Sequence, residues 1–230
     1  MTPTAKPRVR CVIRFAGASF SAAASRIAPK RQRRQPAMLA HRRSLPSHLA
    51  RPLIMPSVEA LSPKQRYLAD LQKPGFQSDL RQAEAVDRLD QVWQQLIARP
   101  PKRSLTGRQR RWPAVEGLYL WGGVGRGKTY LMDQFYESLP FSKKARTHFH
   151  RFMVDVHQRR RHYPEAQDPI GKVAAAIARK VRVLCFDEFF VSDIADAMIL
   201  GRLTEVLFER GVTLIATSNI PPDRLYQDGL

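Results

Sequence analysis

Gly122-Gly123-Val124-Gly125-Arg126-Gly127-Lys128-Thr129 carries the spacing G-x-x-x-x-G-K-[ST]. Glycines followed by a lysine and a hydroxyl residue suit a polyphosphate. Backbones free of Cβ atoms let several N–H groups converge on one anion, and a following helix adds the positive end of its dipole. In that geometry Lys128 places a charge between the β- and γ-phosphates, and Thr129 offers a hydroxyl to Mg²⁺. A chance glycine-rich turn could share the pattern. The flanks are those the motif requires, however: Leu118-Tyr119-Leu120-Trp121 reads as a short buried strand, and Tyr130 to Tyr136 as a helix. The candidate binding segment for a nucleoside triphosphate is therefore Gly122, Gly123, Val124, Gly125, Arg126, Gly127, Lys128, Thr129 and Tyr130.

A phosphate loop needs a metal-binding partner at the end of another strand. Val183-Leu184-Cys185-Phe186-Asp187-Glu188 is an apolar run ending in two acids. Asp187 is the candidate to hold Mg²⁺ opposite Thr129, and Glu188 to orient and deprotonate the attacking water. That pairing favours hydrolysis over transfer to an organic acceptor. Taken alone, Asp-Glu after a strand would read as a helix cap; the loop about sixty residues earlier reverses the choice. Val212 to Thr217 is the next apolar strand and ends in Ser218-Asn219. Asn219 fits the polar residue that AAA+ ATPases bring to the γ-phosphate and the water, although an Asn before Pro221-Pro222 also suits a turn. The candidate catalytic residues are thus Lys128, Glu188 and Asn219, and the candidate metal ligands Thr129 and Asp187.

These residues need a scaffold, and the sequence outlines one. From Val115 onward the chain alternates strands expected at 117–121, 146–151, 181–186 and 212–217 with helices expected at 128–138, 152–161, 169–180 and 194–209. Such alternation gives a parallel sheet with helices on both faces. Upstream, Ser62-Pro63-Lys64-Gln65 is a capping box with Pro at the first helical position, opening a helix expected to reach Leu71. A second helix opens at Ser78-Asp79 and sets Leu80, Ala83, Val86, Leu89, Val92, Trp93, Leu96 and Ile97 on one face, with Glu84, Asp87 and Asp90 off it. A hairpin with so wide an apolar face must dock on a larger body. His148 and His150 would alternate on one strand face, and without a third ligand they read as structural. Arg202 and Arg210 read as a solvated helix face.

The 230 residues carry a formal charge of +19, distributed unevenly. Residues 1–58 hold twelve Lys or Arg and no Asp or Glu, which leaves +7 for the rest. Basicity is thus mainly a property of the first segment and does not by itself make the chain a nucleic-acid binder. That segment has the composition of a transit peptide but no clean amphipathic stripe, so it is expected to be a disordered basic leader. Cys11 and Cys185 are the only cysteines, too few for a disulfide framework or a thiolate metal site. No run approaches the ~20 apolar residues of a membrane span.

The ordered series of motifs resembles the ZapE family, the AFG1/LACE-type ATPases of the AAA+ class. The resemblance rests on Gly117 to Thr129, on His148-Phe149-His150-Arg151-Phe152-Met153, on Cys185 to Met198, and on Ala216-Thr217-Ser218-Asn219-Ile220-Pro221-Pro222. It implies an α/β P-loop NTPase of AAA+ type: a parallel sheet flanked by helices, with an N-terminal helical hairpin. The expected organisation is a leader over 1–58, the hairpin over 59–98, a basic linker over 99–114 and the ATPase core over 115–230. The resemblance further implies ATP and Mg²⁺ as cofactors and hydrolysis coupled to remodelling of a protein partner. The bacterial branch, which Phe189-Phe190-Val191 resembles more, points to cell division and the FtsZ ring. It also implies a cytoplasmic placement, peripheral to the inner membrane or division site. The mitochondrial branch points instead to protein quality control, and the basic linker to a helicase-loader role with nucleic acid. The family continues past Leu230 into a lid with a second sensor and an arginine acting on a neighbouring subunit. The 230-residue chain is therefore expected to be incomplete at the lid, weak in hydrolysis and less able to form the family's homo-oligomer.

Overall fold

Val183 to Phe186 is buried along its whole length, and a strand buried on both faces requires a helical layer above and below. The computed structural model, which describes residues 10–15, 61–77, 79–99, 112–191 and 193–225, supplies both layers. In chain order the elements are β1 (Arg10–Phe15), α1 (Pro63–Asp70), α2 (Leu80–Ala98), β2 (Gly117–Trp121), α3 (Lys128–Ser138), β3 (Lys144–His148), α4 (Phe149–Arg160), α5 (Pro169–Lys180), β4 (Val183–Asp187), α6 (Ile194–Glu209) and β5 (Thr213–Ser218). The sheet runs β1-β2-β5-β4-β3; β2, β5, β4 and β3 are parallel, and β1 lies antiparallel on β2.

Alternation along each strand sorts the core into two. Val183 and Cys185, with Leu118, Leu120 and Ile215, pack towards α1, α2 and α3 through Tyr67, Val86, Leu89, Leu96, Leu131, Met132 and Phe135. Leu184 and Phe186, with Tyr119, Leu214 and Ala216, face α4, α5 and α6. Phe186 is enclosed by Phe149 and Phe152 at ring-centroid distances of 5.6 and 4.6 Å. Cys185 is fully buried, and that burial pushes its thiol pKa up to about 12.

The hairpin docks as its wide apolar face requires. Ser62 and Gln65 form the reciprocal capping box of α1, and Asp79 caps α2. Asp70 accepts from Tyr130 at 2.6 Å and from Gln134 at 3.2 Å, both on α3. Trp93 donates to the Ser138 carbonyl at 3.0 Å, which satisfies an orphan acceptor at the end of α3. Arg182 is 4% exposed and donates to the Leu96 and Arg99 carbonyls at 2.5 and 2.7 Å, closing the end of α2 between the Trp112 and Phe141 rings.

Several details depart from the sequence expectations. The strand expected at 146–151 ends at His148, because Phe149, Phe152, Met153 and Val156 follow a helical period that buries them together; His150 therefore lies in α4 and shares no strand face with His148. Strand β4 begins at Val183, since Arg182 is diverted to cap α2. On α2, Leu80 is 90% exposed because it opens the helix ahead of the packed stretch. Asp90 is buried instead, accepting from Lys64 N at 3.1 Å and Gln94 Nε2 at 2.7 Å. Arg202 lies on an exposed helix face as expected, where it pairs with Asp168 and Glu205 at 2.6 Å each. Residues 10–15, inside the expected leader, form β1, which pairs antiparallel with the outer edge of β2. The rest of the leader and linker residues 100–111 lie outside the described residues.

Candidate functional site

Parallel strands that end at one edge of a sheet deliver whatever follows them to a single place. β2 ends in the glycine-rich loop, β4 in Asp187-Glu188 and β5 in Ser218-Asn219. The loop closes directly on the neighbouring strand, with Gly122 N donating to Ser218 O at 3.2 Å. Gly125 and Gly127 hold φ of +75° and +77°, values that side-chain-bearing residues reach only with strain. The turn delivers Lys128 and Thr129 as the first residues of α3, so free N–H groups of the helix start face the same space.

That space is a cleft of about 580 Å³, lined by Val124 to Thr129, Arg146, His148, Asp187, Glu188, Thr217, Ser218 and Asn219. The structure thus gathers Val124, Gly125, Arg126, Gly127, Lys128, Thr129, Asp187, Glu188 and Asn219 from three segments far apart in sequence. Gly122 and Gly123 contribute differently: their carbonyls accept from Lys128 Nζ at 2.7 Å each. Burial, and then the neighbouring Arg126 charge, lower the Lys128 pKa below its ordinary value. Tyr130 turns its side chain away to Asp70, leaving only its backbone for a ligand; burial and that carboxylate raise its phenol pKa.

Glu188 is the only non-glycine residue with positive φ among the described residues, at 54°. Phe189 N donates to Thr217 O at 2.7 Å, Glu188 N to Thr217 Oγ1 at 3.4 Å and Ser218 Oγ to Phe189 O at 2.7 Å. These contacts hold a backbone that costs of order 1–3 kcal/mol to maintain. They leave the Glu188 carboxylate 79% exposed, with its Oε2 3.8 Å from His148 Nδ1.

Two residues at the site carry no motif. Gln82 on α2 donates to the Arg126 carbonyl at 3.2 Å, joining the hairpin to the loop. Arg146 on β3 reaches Asp187 and Asp133 together. Burial pulls its pKa down, and hydrogen bonds donated to Asp187 and Asp133 more than reverse the effect, leaving it above the ordinary guanidinium value. The available sequence signal was alternation on β3, which turns Arg146 and His148 to one side.

For a metal, Thr129 and Asp187 offer the hard oxygen donors that suit Mg²⁺. Among the described residues no group of three or more His, Cys, Asp or Glu forms a cage. Mg²⁺ typically takes one or two protein oxygens and completes its shell with phosphate and water, so this donor set fits it.

Comparison with known proteins places the chain among its relatives. The family described as AFG1-like ATPase matches residues 61–230. Cell division protein ZapE of Escherichia coli is 48% identical over 186 residues, covering 75% of this chain and 50% of that protein. Lactation elevated protein 1 homolog B of Danio rerio is 48% identical over 126 residues, covering 50% of this chain and 25% of that one. Among solved structures, that of the DnaI gives a TM-score of 0.44 at 18% identity, covering 66% of this chain and 74% of the other. The chain spans about half the length of the ZapE proteins it matches, or 50%. With a match that takes in the hairpin, the loop and the acid-ended strand alike, the chain belongs to the AFG1-like ATPase family, with ZapE among its relatives.

Proposed function

We propose that this cleft binds ATP with Mg²⁺ and hydrolyses it, and that the chain couples hydrolysis to remodelling a protein partner in bacterial cell division. The observation that carries the reading is the convergence of Lys128, Thr129, Asp187, Glu188 and Asn219 on one cleft. Backbone amides from Gly122 to Tyr130 would cradle the phosphates. Lys128 would exchange its two carbonyl partners for β- and γ-phosphate oxygens. Thr129 and Asp187 would hold Mg²⁺, which when bound offsets charge on the phosphate oxygens. Glu188, exposed on its strained backbone, is placed to orient a water and take its proton, and Asn219 to contact the γ-phosphate and that water.

The division reading rests on ZapE, whose match covers 75% of this chain against 50% for the Danio rerio relative. FtsZ is the partner this reading names, and a homo-oligomer its working form. Among the described residues no helix is long and apolar enough to cross a membrane.

Glu188→Gln tests the enzymatic half. The amide keeps shape and hydrogen bonding but loses basicity, so ATP affinity should persist while phosphate release falls roughly 10²- to 10⁴-fold. Equal phosphate release by the variant would remove Glu188 from the mechanism. Co-sedimentation with FtsZ polymers tests the partner: the reading expects ATP-dependent retention, and no retention with or without ATP would reject it.

A further inference from the structure

Arg146 is the hub of the acid cluster at the cleft. Its Nε donates to Asp187 Oδ2 at 2.7 Å and its Nη2 to Asp187 Oδ1 at 3.3 Å, while Nη1 donates to Asp133 Oδ1. The Arg146 side chain is 21% exposed and Asp187 15%, so this is a largely sheltered pair rather than a surface contact. Asp133 stands four residues after Thr129, on the same face of α3. One guanidinium therefore joins β3, the end of β4 and the helix that carries Thr129.

A forked pair of N–H donors fixes a carboxylate plane in a way a point charge does not. Ionised carboxylates accept at about four lone-pair positions, so a bidentate contact leaves Asp187 with acceptor capacity towards Thr129. We propose that Arg146 is a positioning residue for the divalent cation: it fixes Asp187 against Thr129 and, through Asp133, locks the metal side of the cleft to the phosphate-loop helix. The inference rests on the reading that Thr129 and Asp187 hold Mg²⁺. It differs from an ordinary structural ion pair in what it perturbs. Loss of the fork should weaken the contribution of the metal to ATP binding and spare the contribution of the loop, because Arg146 donates to Asp187 and Asp133 whereas Lys128 donates to the Gly122 and Gly123 carbonyls.

Equilibrium binding of a fluorescent ATP analogue, measured in EDTA and across a Mg²⁺ titration, separates the two. For Arg146→Gln the half-saturating Mg²⁺ concentration should rise about tenfold or more, as loss of a group that orients a metal ligand usually does. The metal-free affinity should stay within about twofold. Arg146→Lys should recover only part of the shift, since it restores charge without the fork. Asp133→Asn keeps the Asp187 contact and removes the tether to α3, so a smaller shift in the same direction is expected; it carries the test if Arg146→Gln does not fold. Unchanged Mg²⁺ dependence in folded variants would overturn the proposal. So would a parallel loss of metal-free binding, which marks a merely structural role, or a lower Mg²⁺ requirement, which marks a competing charge. If Mg²⁺ does not strengthen binding even to the unaltered protein, the metal reading itself falls and this proposal with it.

Discussion

Substituting alanine at Gly125 and at Gly127 gives a matched pair, because the two residues share a backbone conformation and differ in surroundings. Their φ values are +75° and +77°, so each alanine should cost roughly 1–2 kcal/mol from left-handed backbone strain. Reduced freedom of the unfolded chain returns about 0.4–1 kcal/mol in both. At Gly125 nothing lies within 4 Å of the added Cβ, which leaves a net loss of roughly 0–1.6 kcal/mol. At Gly127 the new Cβ would sit 2.7 Å from Gln82 Nε2. That atom is the end of a flexible side chain, so it yields, and the 3.2 Å bond to the Arg126 carbonyl is lost with it. The additional cost is about 0.5–1.5 kcal/mol, which places Gly127→Ala about 1 kcal/mol below Gly125→Ala. Urea unfolding of both variants, alone and in a Gln82→Ala background, reads this directly. The gap should be present in the unaltered background and vanish with Gln82→Ala. Equal destabilisation at the two glycines, or a gap that survives removal of Gln82, would refute the claim that α2 braces the loop.

The half-buried Lys128 makes ATP binding sensitive to alkali. Its pKa is lowered, and the charged form is the one that binds phosphate, so affinity should be flat below that value and fall about tenfold per pH unit above it, starting below the usual 10.5; Lys128→Arg should flatten the profile. Arg182→Met should keep the stem packing but strand the Leu96 and Arg99 carbonyls, with an expected loss of about 2–3 kcal/mol in a urea or thermal melt and little change in ATP affinity.

The parts of the site that could be read from sequence are those carried by contiguous residues at strand ends. Glycine spacing, a following Lys-Thr and an acid pair after an apolar run each encode their geometry locally, and the parallel topology brings them together. Gln82 carries no local signal, and for Arg146 alternation along β3 gives a side of the sheet but not its partners. Their roles depend on which strand lies beside β4 and which helix crosses the loop, information held in tertiary register and not in spacing. The helix start at Phe149 is ambiguous in sequence because His148-Phe149-His150 also fits a strand alternation, and only the buried positions further along decide for the helix. Asp90 lies off the apolar stripe, and its burial follows from a partner on the other arm of the hairpin, Lys64 N.

Equilibrium binding of labelled ATP in the presence of Mg²⁺ to the unaltered protein and to Lys128→Ala tests the central claim most directly. Removing the ammonium deletes charge-assisted contacts worth about 1.5–3 kcal/mol, so affinity should fall roughly 10- to 100-fold or more. Unchanged affinity in a folded Lys128→Ala protein would contradict the account, because the loop at Gly122 to Thr129 would then not be where the nucleotide binds.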